Sequence, residues 1–487
     1  MKINSIGTVR LIYCVLFVAI AIWSLWSLPF SPIVWYDEVY FASITHSLIS
    51  GNGLSVELDN FKPCYAYGPV YFLFTGAVTK IFGFGIFQFR IVNLLFSFFT
   101  VFILGKILDK LNVNKGLNYF IQLLLLTDAL FISNSHSGRM EFVALSFVIA
   151  AYWFYLSKEK SDMVRAVAIS TLLTLAVLTT PRAAVICISI AVAQFVNLIR
   201  TREWKSITMY IIIPIVLLGT WIFVAYGSLA GMIEYYAKPS GTGHSLAGSF
   251  VGGNWLISIF HYPMIMLAFM SLVLFIKNRK AKDYIIYLAP ILLYYLLVFD
   301  TGKYGVLILP FYMIIIARGL MYIYENYSKF YKVPCVALLV ICFFINSSIF
   351  VFKAVSIIAT QEQRNPQHVA TWIKRNIPYG SKVAGGYPYY YAAKENGCQY
   401  RRIEREHVKD DELLKDILVN FEPDYFVLEK KNKRIKELPN FSTPVIVVQS
   451  TLESPTHENG TLDYFLKLLN AGFTSNYDGV IYKNIKE

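Results

Sequence analysis

The sequence predicts a mainly α, polytopic membrane protein. It should have about eleven transmembrane helices, interfacial helices in the first outer loop, and a small C-terminal extracytoplasmic α/β domain. Three observations carry this. The 487 residues are 56% hydrophobic and 16% aromatic but only 15% charged, with a mean hydropathy of +0.51. Apolar runs of bilayer length recur along the chain. From about residue 360 the composition turns polar, with both charge signs in near balance.

Hydropathy places spans at 11–29, 87–105, 118–133, 141–157, 166–180, 183–199, 207–226, 260–276, 284–299, 304–321 and 333–353. The first run, "LIYCVLFVAIAIWSLWSLPF", resembles a signal peptide in hydropathy but lacks a small-residue cleavage site, so it is read as a retained helix. The stretch 69–84, "PVYFLFTGAVTKIFGF", is short, carries Lys80 and ends in Gly, so it is read as a helix lying at the interface.

Charge supports this count. With the N-terminus in the cytoplasm, the inner loops collect Lys106, Lys110 and Lys115, then Lys158, Lys160 and Arg165, then Arg200, Arg202 and Lys205, and the run Lys277 to Lys282. The outer loops are poor in Lys and Arg, as the positive-inside rule requires. Topology and anionic lipid therefore account for the net charge of +13, and no nucleic acid is implied. The expected location is the plasma (inner) membrane, multi-pass, with the C-terminal domain outside.

The chain is divided into a membrane domain, 1–359, and an α/β domain, 360–487. In the latter, "NPQHVATWIKRNIP" has helical spacing, while "SKVAGG", "PDYFVLEK" and "TPVIVVQS" read as short buried strands. The basic run "EKKNKRIKEL" reads as a solvated face, with lipid-headgroup contact as the alternative. Cys14, Cys187, Cys335 and Cys342 fall within spans as apolar packing; Cys64 and Cys398 lie on the oxidising side, where pairing is allowed but not demanded. No CxxC, zinc spacing, Walker loop or internal repeat is present.

The informative residues are charges beside helix ends on the outer side: Asp37, Glu38, Glu57, Asp59, Lys62, His136, Arg139, Glu141, Arg182, Glu234, Lys238, His244, Asp300 and Lys303. Ionisable groups at membrane depth are costly and point by default to function. Glu57, Glu234 and Lys238 are more simply read as solvated or anchoring residues, and His244 in "GTGHSLAGSF" supports no choice between sugar contact and solvation. Asp37, set between Tyr36 and Val39, is the sharpest candidate.

Several of these segments form a pattern in order. "WYDEVYFASITHSLISG" presents an Asp-Glu pair, an aromatic and a short helix. "FKPCYAYGPVYFLFTGAVTKIFGFGIFQFRIVNLLFSFF" presents Lys-Pro, an interfacial helix, Phe-Gly and an Arg opening a span. "NSHSGRMEFVALSFVIAAYWFYL", "LTTPRAAV" and "DTGKYGVLILPFYMIIIARGL" follow. Together they resemble the C-type (GT-C) glycosyltransferases, which use polyprenyl-phosphate-linked sugars, with protein O-mannosyltransferases and lipid A aminoarabinose transferases as the nearest in kind. The Lys-Pro-Pro motif of that family is only partly matched, since Cys64 replaces the second Pro.

The resemblance implies an inverting transfer to a hydroxyl of lipid A, protein or polysaccharide, with membrane lipids as surroundings. Asp37 is the implied base and Glu38 its orienting neighbour or an acceptor contact. Lys62 is the implied grip on the donor phosphate, with Arg139, Arg182 and Lys303 as further phosphate contacts. Glu141 and His136 would orient Arg139 or touch the sugar. The chemistry suits these residue types. The acceptor hydroxyl needs a proton acceptor, and the leaving phosphate needs cations where its charge develops. A single displacement needs only one carboxylate, unlike a retaining glycosidase. No cofactor is required. A divalent metal on Asp37, Glu38 and His136 is compatible with the residue types, although adjacent side chains seldom converge on one ion.

Two other classes share the architecture: a flippase for a lipid-linked sugar, and a polymerase or ligase using a lipid pyrophosphate donor. Alternating access favours polar groups near the midplane and repeated halves; here the main mid-span charge is Asp128 and no repeat is seen. The topology has a direct test. A reporter fused after residue 360 should be active only outside the cytoplasm and one at residue 160 only inside; the reverse pattern refutes the eleven-span reading.

Overall fold

The computed structural model describes residues 5–237, 266, 268–269, 285–297, 304–326, 329–403, 417–429, 445–452, 477 and 479–485. Helix α1 (Ser5–Ser27) leads into α2 (Tyr36–Ile49), a small hairpin of β1 (Ser55–Val56) and β2 (Lys62–Pro63), and α3 (Val70–Phe82). Then come α4 (Ile86–Lys110), α5 (Lys115–Leu126), α6 (Ala129–Ser135), α7 (Glu141–Leu156), α8 (Asp162–Val177), α9 (Ala183–Thr201), α10 (Trp204–Tyr226) and α11 (Leu229–Ala237). The described helical remainder of this part is α12 (Ile285–Leu297), α13 (Leu309–Asn326) and α14 (Lys329–Ala359).

Among the described residues, α1, α4, α9, α10 and α14 are long and apolar enough to cross a membrane. Helices α1 and α10 leave apolar side chains such as Leu11, Ile22, Ile215 and Phe223 exposed, the surface expected of lipid-facing helices. The expected interfacial helix forms as α3. Its 13 residues reach only about 20 Å, too short for a hydrocarbon core of about 30 Å. It buries Tyr71, Phe72, Thr75 and Thr79 and exposes Leu73, Ile81 and Phe82. The expected span 260–276 lies almost wholly outside the described residues.

One expected span is corrected. Residues 118–133 are not a single helix: α5 and α6 meet at a bend of 61°. Asp128 causes the restart. Its Oδ1 accepts from the backbone N–H of Leu130 at 2.9 Å and Phe131 at 3.0 Å, capping α6. The charge that hydropathy places mid-span is therefore a helix cap. It satisfies backbone donors that a break inside lipid would leave exposed.

A second buried charge fastens the start of the bundle. Arg90, one turn into α4, is 0% exposed; its Nε and Nη2 donate to the two oxygens of Glu38 at 2.5 and 2.7 Å. Its Nη1 donates to the Leu28 carbonyl at 2.8 Å. One guanidinium thus ties the end of α1 and the first turn of α2 to α4.

The C-terminal segment is α/β. Helix α15 (Pro366–Asn376) starts at Asn365, whose side chain accepts from Gln367 N–H at 3.0 Å. It leads to β3 (Lys382–Gly385), α16 (Tyr390–Glu395), β4 (Gln399–Arg402), β5 (Tyr425–Leu428), β6 (Val445–Leu452) and β7 (Gly479–Ile485). The five strands lie in the order β4-β3-β5-β7-β6, with β3 parallel to both neighbours and β7 antiparallel to both of its own. The helix and three strands read from the sequence are α15, β3, β5 and β6. All six cysteines are free; Cys64 lies 3.2 Å from the Tyr40 hydroxyl and Cys398 hydrogen-bonds within its own turn.

This layer docks on the first loop through Glu57. Its carboxylate faces His46 Nδ1 at 3.0 Å, and accepts from Tyr390 at 3.0 Å and from Lys394 at 2.6 Å. Glu57 is 6% exposed, so it is an anchor rather than a solvated residue. Burial alone would raise its carboxyl, but His46 and Lys394 outweigh burial and hold it down at about 2, against an ordinary 4.5. A depressed carboxylate stabilises the fold above its unfolded value and loses that contribution as pH falls. The thermal midpoint of the purified protein should therefore drop as pH falls from about 4.5 toward 2, as a stability contribution on the order of 3 kcal/mol from this group is lost. Glu57→Gln should be less stable at neutral pH and show a flatter acid limb. An unchanged acid limb in that variant would show that Glu57 does not fasten the layer.

Candidate active site

Helix α2 begins with two carboxylates in its first turn, where the helix dipole favours negative charge. Successive helical residues point about 100° apart, so the two cannot share a surroundings. Glu38 turns inward to Arg90, while the Asp37 side chain stays 24% exposed and lines a cavity of about 310 Å³. The other lining residues are Tyr36, Tyr40, Phe41, Asp59, Lys62, Ala66, Tyr67 and Arg402.

Behind Asp37 stands Arg139, in the turn between α6 and α7. Its Nη1 donates to Asp37 Oδ2. Its Nε and Nη2 donate to Glu141 at 3.1 and 2.7 Å, a forked contact with the first residue of α7. Burial alone would depress the guanidinium, yet Glu141 and Asp37 raise it well above its ordinary value, so it stays charged. Aromatic faces complete its surroundings, with Trp35 and Tyr304 ring centres at 5.3 and 5.0 Å.

Arg182, just before α9, lies 4.1 Å from the same Tyr304 ring. Burial lowers its guanidinium and the Tyr304 and Tyr67 hydroxyls raise it, with a net upward shift. The Glu141 carboxylate also raises Arg182, but among the described residues neither Arg182 nor Lys62 has a carboxylate within 4 Å. Lys62 is exposed on β2, at the rim of the cavity. Two cations free of close ion pairs among the described residues thus sit near a carboxylate whose Oδ1 meets no protein donor among the described residues.

The structure brings together Asp37, Lys62, Arg139, Glu141 and Arg182. It does not bring in Glu38 or His136. Glu38 is 0% exposed and consumed by Arg90, so it neither orients Asp37 nor reaches an acceptor. His136 is fully buried, within 3.2 Å of Ser27 Oγ and 2.9 Å of the Ile132 carbonyl, and it does not contact Arg139. Lys303, Asp300, Lys238 and His244 lie outside the described residues. Arg402 is new. Strand β4 of the C-terminal layer carries it into the cavity wall, where Asp59 accepts from its Nε and Nη2 at 2.7 and 2.5 Å. In the sequence it is one of many Arg residues of that segment, with no local mark.

A metal shared by Asp37, Glu38 and His136 does not fit this geometry, because Glu38 and His136 face other partners. Among the described residues no group of three or more His, Cys, Asp or Glu converges on one point.

No protein-family model matches the chain, and no curated protein matches it by sequence. Solved structures do. The apo structure of ArnT from Cupriavidus metallidurans superposes with a TM-score of 0.63 at 12% identity, covering 97% of this chain and 98% of that one. The same protein bound to undecaprenyl phosphate gives 0.58 at 13% identity, with 98% of each chain covered. The archaeal oligosaccharyltransferase AglB from Archaeoglobus fulgidus, solved with an inhibitory peptide and a dolichol-phosphate, gives 0.51 at 10% identity, covering 86% of this chain and 69% of that one. Nearly the whole chain is thus laid out as in ArnT, and the protein shares that GT-C fold.

Proposed function

We propose that the protein is an inverting glycosyltransferase that moves a sugar from a polyprenyl-phosphate donor to a hydroxyl acceptor, on the extracytoplasmic face of the membrane. The observation that carries this reading is Asp37: a carboxylate that lines a cavity rimmed by Lys62, with one oxygen held by Arg139 and the other without a protein donor among the described residues. The likeness to an enzyme solved with undecaprenyl phosphate and to another solved with a dolichol-phosphate supports the lipid-phosphate donor.

In this reading the acceptor hydroxyl gives its proton to Asp37 as its oxygen forms the bond to C1. The bond from C1 to the phosphate oxygen breaks, and the electron pair leaves with the polyprenyl phosphate. Lys62 and Arg182 stabilise the charge that grows there. Arg139 orients Asp37 and contributes positive potential, while Glu141 keeps Arg139 in place. The tyrosines of the cavity offer the sugar flat faces and hydroxyl groups. The acceptor is a hydroxyl of lipid A, a protein or a polysaccharide.

The test is sugar transfer from a purified polyprenyl-phosphate sugar in detergent, with and without a chelator. Asp37→Asn should lose about 10²–10⁴ in rate while still binding donor. Lys62→Ala should weaken donor use, and Lys62→Arg should restore part of it. Glu38→Gln should fail differently, by leaving Arg90 buried and unpaired, at a cost of about 3–5 kcal/mol in stability. Full turnover in Asp37→Asn would remove Asp37 from the chemistry. Transbilayer movement of the sugar-lipid without any new glycosidic bond would identify a flippase instead.

A further inference from the structure

A second cavity, of about 390 Å³, shares no lining residue with the Asp37 cavity. Its volume is in the range of small-molecule pockets. The membrane part lines it with Pro29 and Phe30, just past α1, and with residues 84–88, which open α4. The C-terminal layer lines it with the start of α15 and with Tyr391 and Glu395 of α16. The cavity is thus a seam between the two parts.

The polar groups of this seam suit a ligand that donates. Glu395 is the sole carboxylate among the described lining residues, and no Lys, Arg or His stands with it. No neighbouring charge among the described residues acts on it. Gln88 donates its side-chain N–H to the Phe82 carbonyl at 3.2 Å, which leaves its Oε1 as an acceptor. Both oxygens border Gly85: a Cβ there would lie 2.7 Å from Gln88 Oε1 and 3.4 Å from Glu395 Oε1. The bare glycine therefore keeps a gap beside two acceptors and one negative charge. Phe30, Phe84 and Phe87 add aromatic walls, whose faces attract cations.

The way in is from lipid. Trp26, Ile81, Phe82 and Phe87 are exposed beside the cavity in the chain, and the Trp26 ring packs 5.5 Å from Phe30. Helices α1 and α4 are long and apolar enough to cross a membrane, and the bond from Arg90 to the Leu28 carbonyl holds their ends together. Those ends stand at headgroup depth, where aromatic residues collect.

We propose that this seam binds the primary ammonium of a membrane lipid headgroup, of the phosphatidylethanolamine class. An ammonium has three donors and no acceptor, as the two oxygens require. Glu395 supplies the opposite charge and Gln88 the second acceptor. A choline headgroup has no donor and a glycerol headgroup no positive charge, so neither meets both demands. The lipid bridges the start of α4 and α16, and so helps to seat the C-terminal layer. This binding needs neither Asp37 nor a sugar donor.

The experiment is the thermal-unfolding midpoint of the delipidated full chain in neutral detergent. Phosphatidylethanolamine is compared with phosphatidylcholine, phosphatidylglycerol and free ethanolamine at equal concentration. Phosphatidylethanolamine should raise the midpoint by about 2 °C or more, and the other three by clearly less. Glu395→Gln should lose this gain yet match wild type without lipid, since position 395 is exposed. Gly85→Ala gives a second reading. Its backbone is extended, with φ −174°, so alanine fits the chain while its methyl group fills the gap, and the gain should again be lost. Asp37→Asn should keep the gain, which separates this seam from the proposed catalytic cavity. No gain in wild type, an equal gain from any of the other three compounds, a full gain in Glu395→Gln, or its loss in Asp37→Asn would each overturn the proposal.

Discussion

The site is organised around one buried guanidinium. Arg139 is 3% exposed at its side chain and has to find acceptors inside the protein. Glu141 supplies two and Asp37 a third, so the first turn of α2, the α6–α7 turn and the start of α7 must meet at one point. Removing one partner of such a group leaves a buried charge, which is far costlier than the pair is favourable. The demand holds one oxygen of Asp37 and leaves the other without a protein donor among the described residues, in a side chain that lines the cavity. Tyr304, packed against both Arg139 and Arg182, holds two like charges close together while shielding each with a ring face.

Glu38 shows why two adjacent carboxylates had to differ. Both suit a helix N-terminus, and both resemble functional residues in a greasy chain. Their separation comes from helix phase together with a partner 52 residues away. The sequence around α2 is apolar on several sides, so periodicity alone does not say which carboxylate faces in. Arg90 was readable as the residue opening a span, but not as the partner of Glu38. Arg402 is a stronger case. It enters the cavity through a contact with Asp59 across 343 positions, and nothing local to "CQYRRIEREH" marks it.

The helices were more legible because hydropathy reports on bilayer length directly. The error at 118–133 has a plain cause: averaging over a window hides a single aspartate that caps a new helix. The C-terminal strands β3, β5 and β6 were visible as short apolar runs, while β4 carries two arginines and β7 is diluted by Asn and Lys. The contribution of that layer to the cavity was not readable at all, since it depends on Glu57 and Asp59 gripping Lys394, Arg401 and Arg402. The first loop is therefore both the wall of the cavity and the seat of the C-terminal layer. A change in docking reaches the cavity through Arg402.

The central claim is that donor phosphate is held beside Asp37, between Lys62 and the Arg139–Arg182 pair. An electron cryomicroscopy structure of the protein with polyprenyl phosphate tests it most directly. The account predicts phosphate density at the Asp37 cavity, within contact of Lys62 or Arg182, and the prenyl chain leaving toward lipid. Phosphate density away from that cavity, with Lys62 and Arg182 uninvolved, would contradict it.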